Sequence, residues 1–406
     1  MLTHLQIHNI ISPAQHGFLP RRSTQTQQID FLNQLTSFHD QQIQAEVIYL
    51  DFSKAFDKVS HLNLLHVLNH INIHPKLINW IQNYLNGRTQ VTVVESSHTH
   101  STSVSSGVPQ GSVLGPLLFI IYLQDLITSI NTNCPNTTVY AFADDIKLVS
   151  SDANDLQCAL NIVNDWTTTW KLLLNTDKSE HLTIRQSSPK TFYVKNQTIP
   201  KVNCVRDLGV IVSETLNWDQ YIEKVRSKAN SLCHIILHTF SSNNIQLLTS
   251  LFKIYVRPIL EYNTCTWSPH QDYNIKAAES TQKRFTKIIC QRANISFSNY
   301  SDRLAKLNLE SLKDRRSKND LILAYKVINN LVDVNTKLFR FNTLGGYNLR
   351  RHNLQIEREK PPKFLTRNNY FSVRVAKHWN ELPARIVESP TLAIFKNRLK
   401  EGFVNT

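Results

Sequence analysis

Apolar and polar positions follow two rhythms along this chain, and the change between them divides it. Up to about residue 215, short β-like runs recur between helical blocks. Residues 45–51 read AEVIYLD, an apolar run closed by an acid. Residues 90–95 and 101–105 predict a hairpin, and 180–185 a further strand. Residues 139–143 and 146–150 predict two strands joined at Asp144-Asp145. Helices are predicted over 24–38, where Ile29, Leu32 and Leu35 share a face, and over 62–71, 75–85, 114–130 and 155–173. Asn86-Gly87 ends the third of these, and Asp152 or Asn154 caps the last. Beyond residue 215 the period is helical: 221–240, 245–259, 276–290 and 312–331. Residues 338–362, with Gly345-Gly346 and Pro361-Pro362, read as a loop or linker, and 370–399 as a last compact block.

The chain has 406 residues, 41% of them apolar, enough for a buried core and two or three domains. The longest apolar run, 113–123, is 11 residues and is broken by Gly115 and Pro116. A membrane helix needs roughly 20, so no membrane partner is expected. Residues 1–11 carry no Lys or Arg, unlike a secretory signal. The six Cys lie no closer than 24 residues apart, which excludes a C-x-x-C zinc knuckle. Reduced thiols in an intracellular protein, with no disulfide-linked partner, are expected.

Charge narrows the partner. Lys plus Arg is 45 and Asp plus Glu 31, net +14, which favours nucleic acid before a membrane surface. Residues 1–200 hold 12 basic and 14 acidic side chains, net −2, whereas 201–406 hold 33 and 17, net +16. Glycine is scarce, 9 in all, yet three fall between Gly107 and Gly115. There Ser106 to Pro116 leads into a helix, with Gln110 offering both a donor and an acceptor. Without a following Lys it is not a P-loop.

Three acids stand out by position. Asp51 closes an apolar strand, and Asp144 and Asp145 sit at a hairpin tip. Acids at adjacent strand ends can converge at one sheet edge and hold two hard divalent cations. A lone strand-end Asp is more often a solvated turn residue; an Asp pair between two apolar strands is evenly balanced between the two readings.

Three strings in order then carry a resemblance: YLDFSKAFD (residues 49–57), SSGVPQGSVLGPLLFIIYLQDL (105–126) and YAFADDIKLVS (140–150). They resemble the palm motifs of reverse transcriptases of non-LTR retrotransposons, of the jockey-like group. SPAQHGFLPRRST (12–24), WKLLLNTDKSEHLTI (170–184), VRDLGVIVSETLNW (205–218), YVRPILEYNTCTW (255–267) and HWNELPARIVESPTLAIFKNRL (378–399) extend the resemblance over nearly the whole chain. It implies an α+β right-hand polymerase: a remnant of fingers over 1–44, a palm with a small antiparallel sheet over 45–214, a helical thumb over 215–335 and a helical C-terminal extension over 336–406.

The same resemblance implies an RNA-directed DNA polymerase that joins a deoxynucleotide to a primer 3′-hydroxyl on an RNA template. Asp51 and Asp144 would ligate two Mg²⁺, with Mn²⁺ a possible substitute, and the Phe52 carbonyl would complete one shell. Asp145 would sit beside the primer end, and Lys178 would protonate the departing pyrophosphate. Phe56 falls where a ring rejects a 2′-hydroxyl; Gln110 and Gly111 would meet nucleotide and template. Leu208, Gly209 and Val210 would support the primer, and Lys224, Arg226 and Lys228 would track phosphate. Taken alone, Phe56 reads as core packing, Lys178 as an even choice with a solvated turn lysine, and the three helix cations as solvated charges. Trp218, Trp267 and Trp379 read as core residues. The implied location is nucleus and/or cytoplasm. Binding to a template–primer hybrid is expected to weaken steeply with salt.

The sequence also departs from the family. No endonuclease, no R-P-I-S fingers motif, no RNase H carboxylate set after residue 300 and no C-terminal CCHC knuckle is present. Arg21 and Arg22 alone precede Lys54, and neither is assigned to the triphosphate. The expectation is a copy truncated at its N-terminus, with weak or no polymerase activity for this chain alone. The competing reading is a catalytically inactive nucleic-acid-binding remnant. Viral RNA-directed RNA polymerases, which usually carry Gly-Asp-Asp where Ala143 precedes the acids here, and group II intron maturases are minor alternatives.

Overall fold

The computed structural model describes residues 1–341, 352–359 and 362–404. The chain forms two compact units: residues 1–27 with 42–205, and residues 28–41 with 206–406.

The first unit is built on a five-stranded sheet. Its strands are β1 (Ala45–Leu50), β2 (Thr137–Phe142), β3 (Asp145–Ser150), β4 (Glu180–Ile184) and the two-residue β5 (Lys201–Val202), in the spatial order β5-β4-β1-β3-β2. All pairs are antiparallel except β5 on β4, a parallel edge too short to announce itself in the sequence. Against this sheet pack the helices Gly115–Asn133 and Ala153–Trp170. The first is apolar nearly all round, with Leu118 to Leu123, Leu126, Ile127 and Ile130 buried, the pattern of a central helix. Asp152 caps the second, accepting from the amides of Asn154 (2.9 Å) and Asp155 (3.3 Å). The expected hairpin is present as two short antiparallel pairs, Thr89–Gln90 with Thr102–Ser103 and Val93–Val94 with Ser97–His98.

The second unit is almost wholly helical. Its hairpin, Cys204–Asp207 with Val210–Ser213, leads into the helix Asp219–Thr239. The helix expected over 245–259 is not regular. It runs as Ile245–Leu251, widens to a π-turn at Phe252–Val256, and resumes at Arg257–Glu261. Pro258 lacks the amide hydrogen an α-helix would need there and crowds the preceding turn, which accounts for the widening. Asp272–Arg292 and Leu312–Ile328 follow, and a core of Val225, Phe252, Trp267, Phe285 and Ile289 lies among them. Trp267 and Trp379 are buried, as core residues should be.

The stretch expected as a linker lies partly outside the described residues, including both of its Gly-Gly and Pro-Pro signals except Pro362. Its described part is tied down. Phe341 bridges Ile356, Glu357 N donates to the Arg340 carbonyl (2.7 Å), and Ile356 N donates to Asn380 Oδ1 (2.8 Å). The block after it forms the helices Phe371–Glu381, Ala384–Val387 and Leu392–Val404, with Trp379 and Phe395 wholly buried. No helix among the described residues is long and apolar enough to cross a membrane. The α+β class read from the sequence is the one observed.

Candidate active site

Strand register brings the acids together. Leu50 at the end of β1 faces Ile146 on β3, and Phe142 on β2 faces Asp145. One residue past Leu50 the chain reaches Asp51, at the end of the sheet where Ala143-Asp144 turns β2 into β3. Asp51 and Asp144 are half-buried and Asp145 is exposed. Burial pushes the Asp144 carboxyl up from its ordinary value, and the neighbouring Asp51 charge pushes it further, against a backbone hydrogen bond that lowers it. The two carboxylates therefore feel each other. Neither has an ion-pair partner among the described residues.

The Asp51 backbone is held from the other side by the turn after Leu174. Asn175 N donates to the Asp51 carbonyl (2.7 Å), Ser53 N donates to the Leu173 carbonyl (2.9 Å), and Ser179 Oγ accepts from Asp51 N (3.2 Å). Phe52 and Leu174 form the bridging pair between these bonds. In such a pair the flanking residues make the hydrogen bonds, so the Phe52 carbonyl points to the opposite side of its strand, where β3 lies. Two carboxylates and a backbone carbonyl at this sheet end would make an oxygen-only donor set, the kind that suits a hard divalent cation. Among the described residues no three His, Cys, Asp or Glu side chains gather as a metal site, so protein ligation here would rest on this pair and backbone oxygen. Lys178 is exposed on the same 175–179 turn, its amide capped by Asn175.

The glycine-rich loop lies backbone to backbone on the segment after Asp51. Val108 N donates to the Phe56 carbonyl (2.9 Å) and Gly107 N to the Val59 carbonyl (2.8 Å). A Cβ on Gly107 would meet Asp57 Cα at 2.8 Å, and its φ is +92°, so glycine is required twice over. Gln110, exposed, donates through Nε2 to Asp57 Oδ1 (2.9 Å). Gly111 is exposed at φ +76° with open space around it, so its need is conformational only. Phe56 is half-buried, stacked on Phe119 (centroids 4.1 Å apart) with Phe18 edge-on at 6.2 Å.

In the second unit, Leu208-Gly209 forms a two-residue turn with φ +44° and +91°. Tyr262 holds it: its hydroxyl donates to the Leu208 carbonyl (2.8 Å), and its ring lies against Gly209. The Val210 side chain is fully buried in the core, so any ligand contact there is made by backbone. Lys224, Arg226 and Lys228 do not form one row. Lys224 and Lys228, four apart, share a face, whereas Arg226 lies nearly opposite and is bound to Glu223 at 2.7 and 2.9 Å.

The segment 14–18, part of the 12–24 stretch that carries the resemblance, makes a contribution to the site that was not read from the sequence. Ala14 and His16 bond to both sides of Ala141, and Gln15 forms a parallel bridge to it. His16 is fully buried, its Nδ1 2.9 Å from Thr26 Oγ1. Burial, then the charges of Arg22 and Lys147, pushes its imidazole down to about 3. The unfolded chain takes up that proton near pH 6.5, so this stabilisation is full above 6.5 and is lost progressively as pH falls toward 3. This group alone is expected to make stability fall by about 1.4 kcal/mol per pH unit between about pH 6 and pH 4. Urea unfolding of wild type and His16→Gln across that range measures it; equal slopes would rule it out.

Comparison with known proteins gives the chain a family. Residues 1–212 match the family described as reverse transcriptase (RNA-dependent DNA polymerase). The chain belongs to the reverse transcriptase family. Several of the proteins it resembles carry the names of mobile-element polymerases. The probable RNA-directed DNA polymerase from transposon X-element of Drosophila melanogaster is 24% identical over 70% of this chain and 32% of its own length. The RNA-directed DNA polymerase from mobile element jockey of Drosophila funebris is 24% identical over 63% of this chain and 29% of its own. This reverse transcriptase chain thus spans about a third of the length of the curated relatives it matches. Among solved structures, apo telomerase from Candida tropicalis is similar over 81% of this chain and 57% of that one, at 12% identity and a TM-score of 0.43.

Proposed function

We propose that this chain is the polymerase part of a non-LTR mobile-element RNA-directed DNA polymerase, extending a DNA primer with deoxynucleotides on an RNA template. The observation that carries the reading is the convergence of Asp51 and Asp144 at one end of the β1–β3 pair, close enough for one charge to act on the other. On this reading the two carboxylates and the Phe52 carbonyl hold two Mg²⁺, with Mn²⁺ a substitute. When bound, the ions supply positive charge at the reacting phosphate and the leaving oxygen.

The protein's own part is positioning and electrostatics. Asp145, exposed beside Asp144, faces the primer end. The Phe56 ring, fixed on Phe119, lies under the sugar and rejects a 2′-hydroxyl by contact. Gln110 and Gly111 present side-chain amide and open backbone to nucleotide and template. Lys178, on the turn bonded to both sides of Asp51, gives a proton to departing pyrophosphate. The Leu208–Val210 turn supports the primer through its backbone, and Lys224 and Lys228 face phosphate. Residues 1–44, 45–214, 215–335 and 336–406 act as part of the fingers, palm, thumb and extension, and the protein works inside the cell.

Primer extension on poly(rA)/oligo(dT) with Mg²⁺ tests this. Incorporation of dTTP should need both template and divalent ion, and Asp51→Asn should lose it while still binding the hybrid. Hybrid binding with no incorporation by wild type, and no difference in Asp51→Asn, would favour a binding remnant instead.

A further inference from the structure

The acid-bearing turn is not self-supporting. It joins β2 to β3 through two residues, and the first of them, Ala143, takes φ +56°. Hairpin turns with a left-handed first residue normally place glycine there, since any Cβ costs roughly 1 kcal/mol in that conformation. Ala143 is also buried, so its amide and carbonyl need partners that a two-residue turn does not provide.

One side chain supplies both. Gln15, 1% exposed, accepts through Oε1 from Ala143 N (2.9 Å) and from its own neighbour Gly17 N (2.7 Å). Its Nε2 points at the Ala143 carbonyl at 3.4 Å, a long donation. The amide thus grips the peptide groups on both sides of Ala143, and the second of these is the peptide that leads into Asp144. The gripping segment is itself fixed. Arg22 Nη1 donates to the Gln15 carbonyl (3.0 Å) and to that of Pro13, and Ser12 N donates to Gln124 Oε1 (2.7 Å). Gly17 makes the approach possible, because a Cβ there would lie 2.4 Å from Ala143 N.

We infer that Gln15 is a positioning residue for the Asp144 carboxylate: by fixing the Ala143 peptides it sets the direction in which Asp144 offers its oxygens to a divalent cation. The inference rests on the proposed metal role of Asp144. Gln15 itself touches no reacting atom. Partners that orient a ligand commonly change metal affinity by 10- to 100-fold when removed.

The test is Mn²⁺ binding to the full chain, read from the electron paramagnetic resonance signal of free Mn²⁺, with melting temperature and circular dichroism taken without metal. Four proteins are compared: wild type, Asp144→Asn, Gln15→Met and Gln15→Glu. Gln15→Met keeps the side-chain length and loses every hydrogen bond, so Mn²⁺ affinity should fall by about tenfold or more while the fold is retained. Gln15→Glu is close in shape and, kept neutral by burial, can still accept from Ala143 N and donate to the Ala143 carbonyl, so the fall should be smaller than for Gln15→Met. It decides the question if Gln15→Met does not fold. If wild type binds no Mn²⁺ in an Asp144-dependent way, the metal reading itself fails. If wild type does, and folded Gln15 variants bind equally tightly, the positioning role is overturned.

Discussion

Replacing Asp144 by Asn is expected to stabilise the metal-free chain and to abolish polymerisation. The two effects share one cause. Asp144 is half-buried beside Asp51, and both its burial and that neighbour disfavour its ionised form. Its carboxyl therefore holds a proton more tightly in the fold than in the unfolded chain. A raised carboxyl of this kind is a cost at neutral pH, where it is ionised, and the cost disappears as pH falls through its folded value. Asn keeps the size and removes the charge, so the melting temperature without divalent ion should rise. Mg²⁺ should raise the melting temperature of wild type and leave that of the variant unchanged. Incorporation of dTTP should fall by about a thousandfold or more, the scale on which loss of a principal electrostatic group acts. Thermal melts with and without Mg²⁺, beside single-turnover extension, measure all three. A variant that melts lower than wild type without metal would overturn the charge cost argued for Asp144, and one that gains as much from Mg²⁺ would show that the two carboxylates do not share a cation.

That site was legible in outline because its parts are local. Two apolar runs around Asp144-Asp145 predict a hairpin with acids at its tip, and a third apolar run ends in Asp51. Pairing the runs then carries the acids to one edge, and the observed register does so. Gln15 was not legible for the opposite reason. Its partner lies 128 residues away, and no periodicity states which polar side chain will reach which peptide. The faint signals were Gly17, two residues on, and an alanine where the turn wants glycine. The π-turn follows from Pro258, which local reading did expose and which the expected unbroken helix passed over. Lys224 and Lys228 share a helix face that Arg226 does not, since residues two apart on a helix point in nearly opposite directions.

A largely buried ion pair joins two helices of the second unit, and its removal should be among the costliest single changes there. Arg374, on the helix Phe371–Glu381, meets Asp320 on Leu312–Ile328 with two bonds of 2.8 Å. The same guanidinium donates to the carbonyls of Asn369 (2.8 Å) and Cys265 (2.7 Å). Arg374→Met would leave Asp320, 7% exposed, without its hydrogen-bonded partner, with only the nearby Arg316 charge facing it, and two carbonyls without their donor. Breaking such a pair from one side costs about 3–5 kcal/mol, most of it the penalty of the stranded charge. Arg374→Lys should recover little, because one ammonium cannot reproduce a planar fork with four acceptors. The double change Asp320→Leu with Arg374→Met should recover part of the loss, since Arg316 then faces Glu279 and Glu261 without Asp320. Urea unfolding of the four proteins gives the comparison; a single substitution costing under about 1 kcal/mol would mean the pair is solvated after all. The outcome bears on function through what the pair joins. It ties the last block of the chain to helices on which the proposed primer-supporting turn and its Tyr262 prop depend. The 370–399 block is thus expected to act as part of the core that keeps the basic half of the chain folded, and loss of Arg374 should weaken hybrid binding without altering the acids of the first unit.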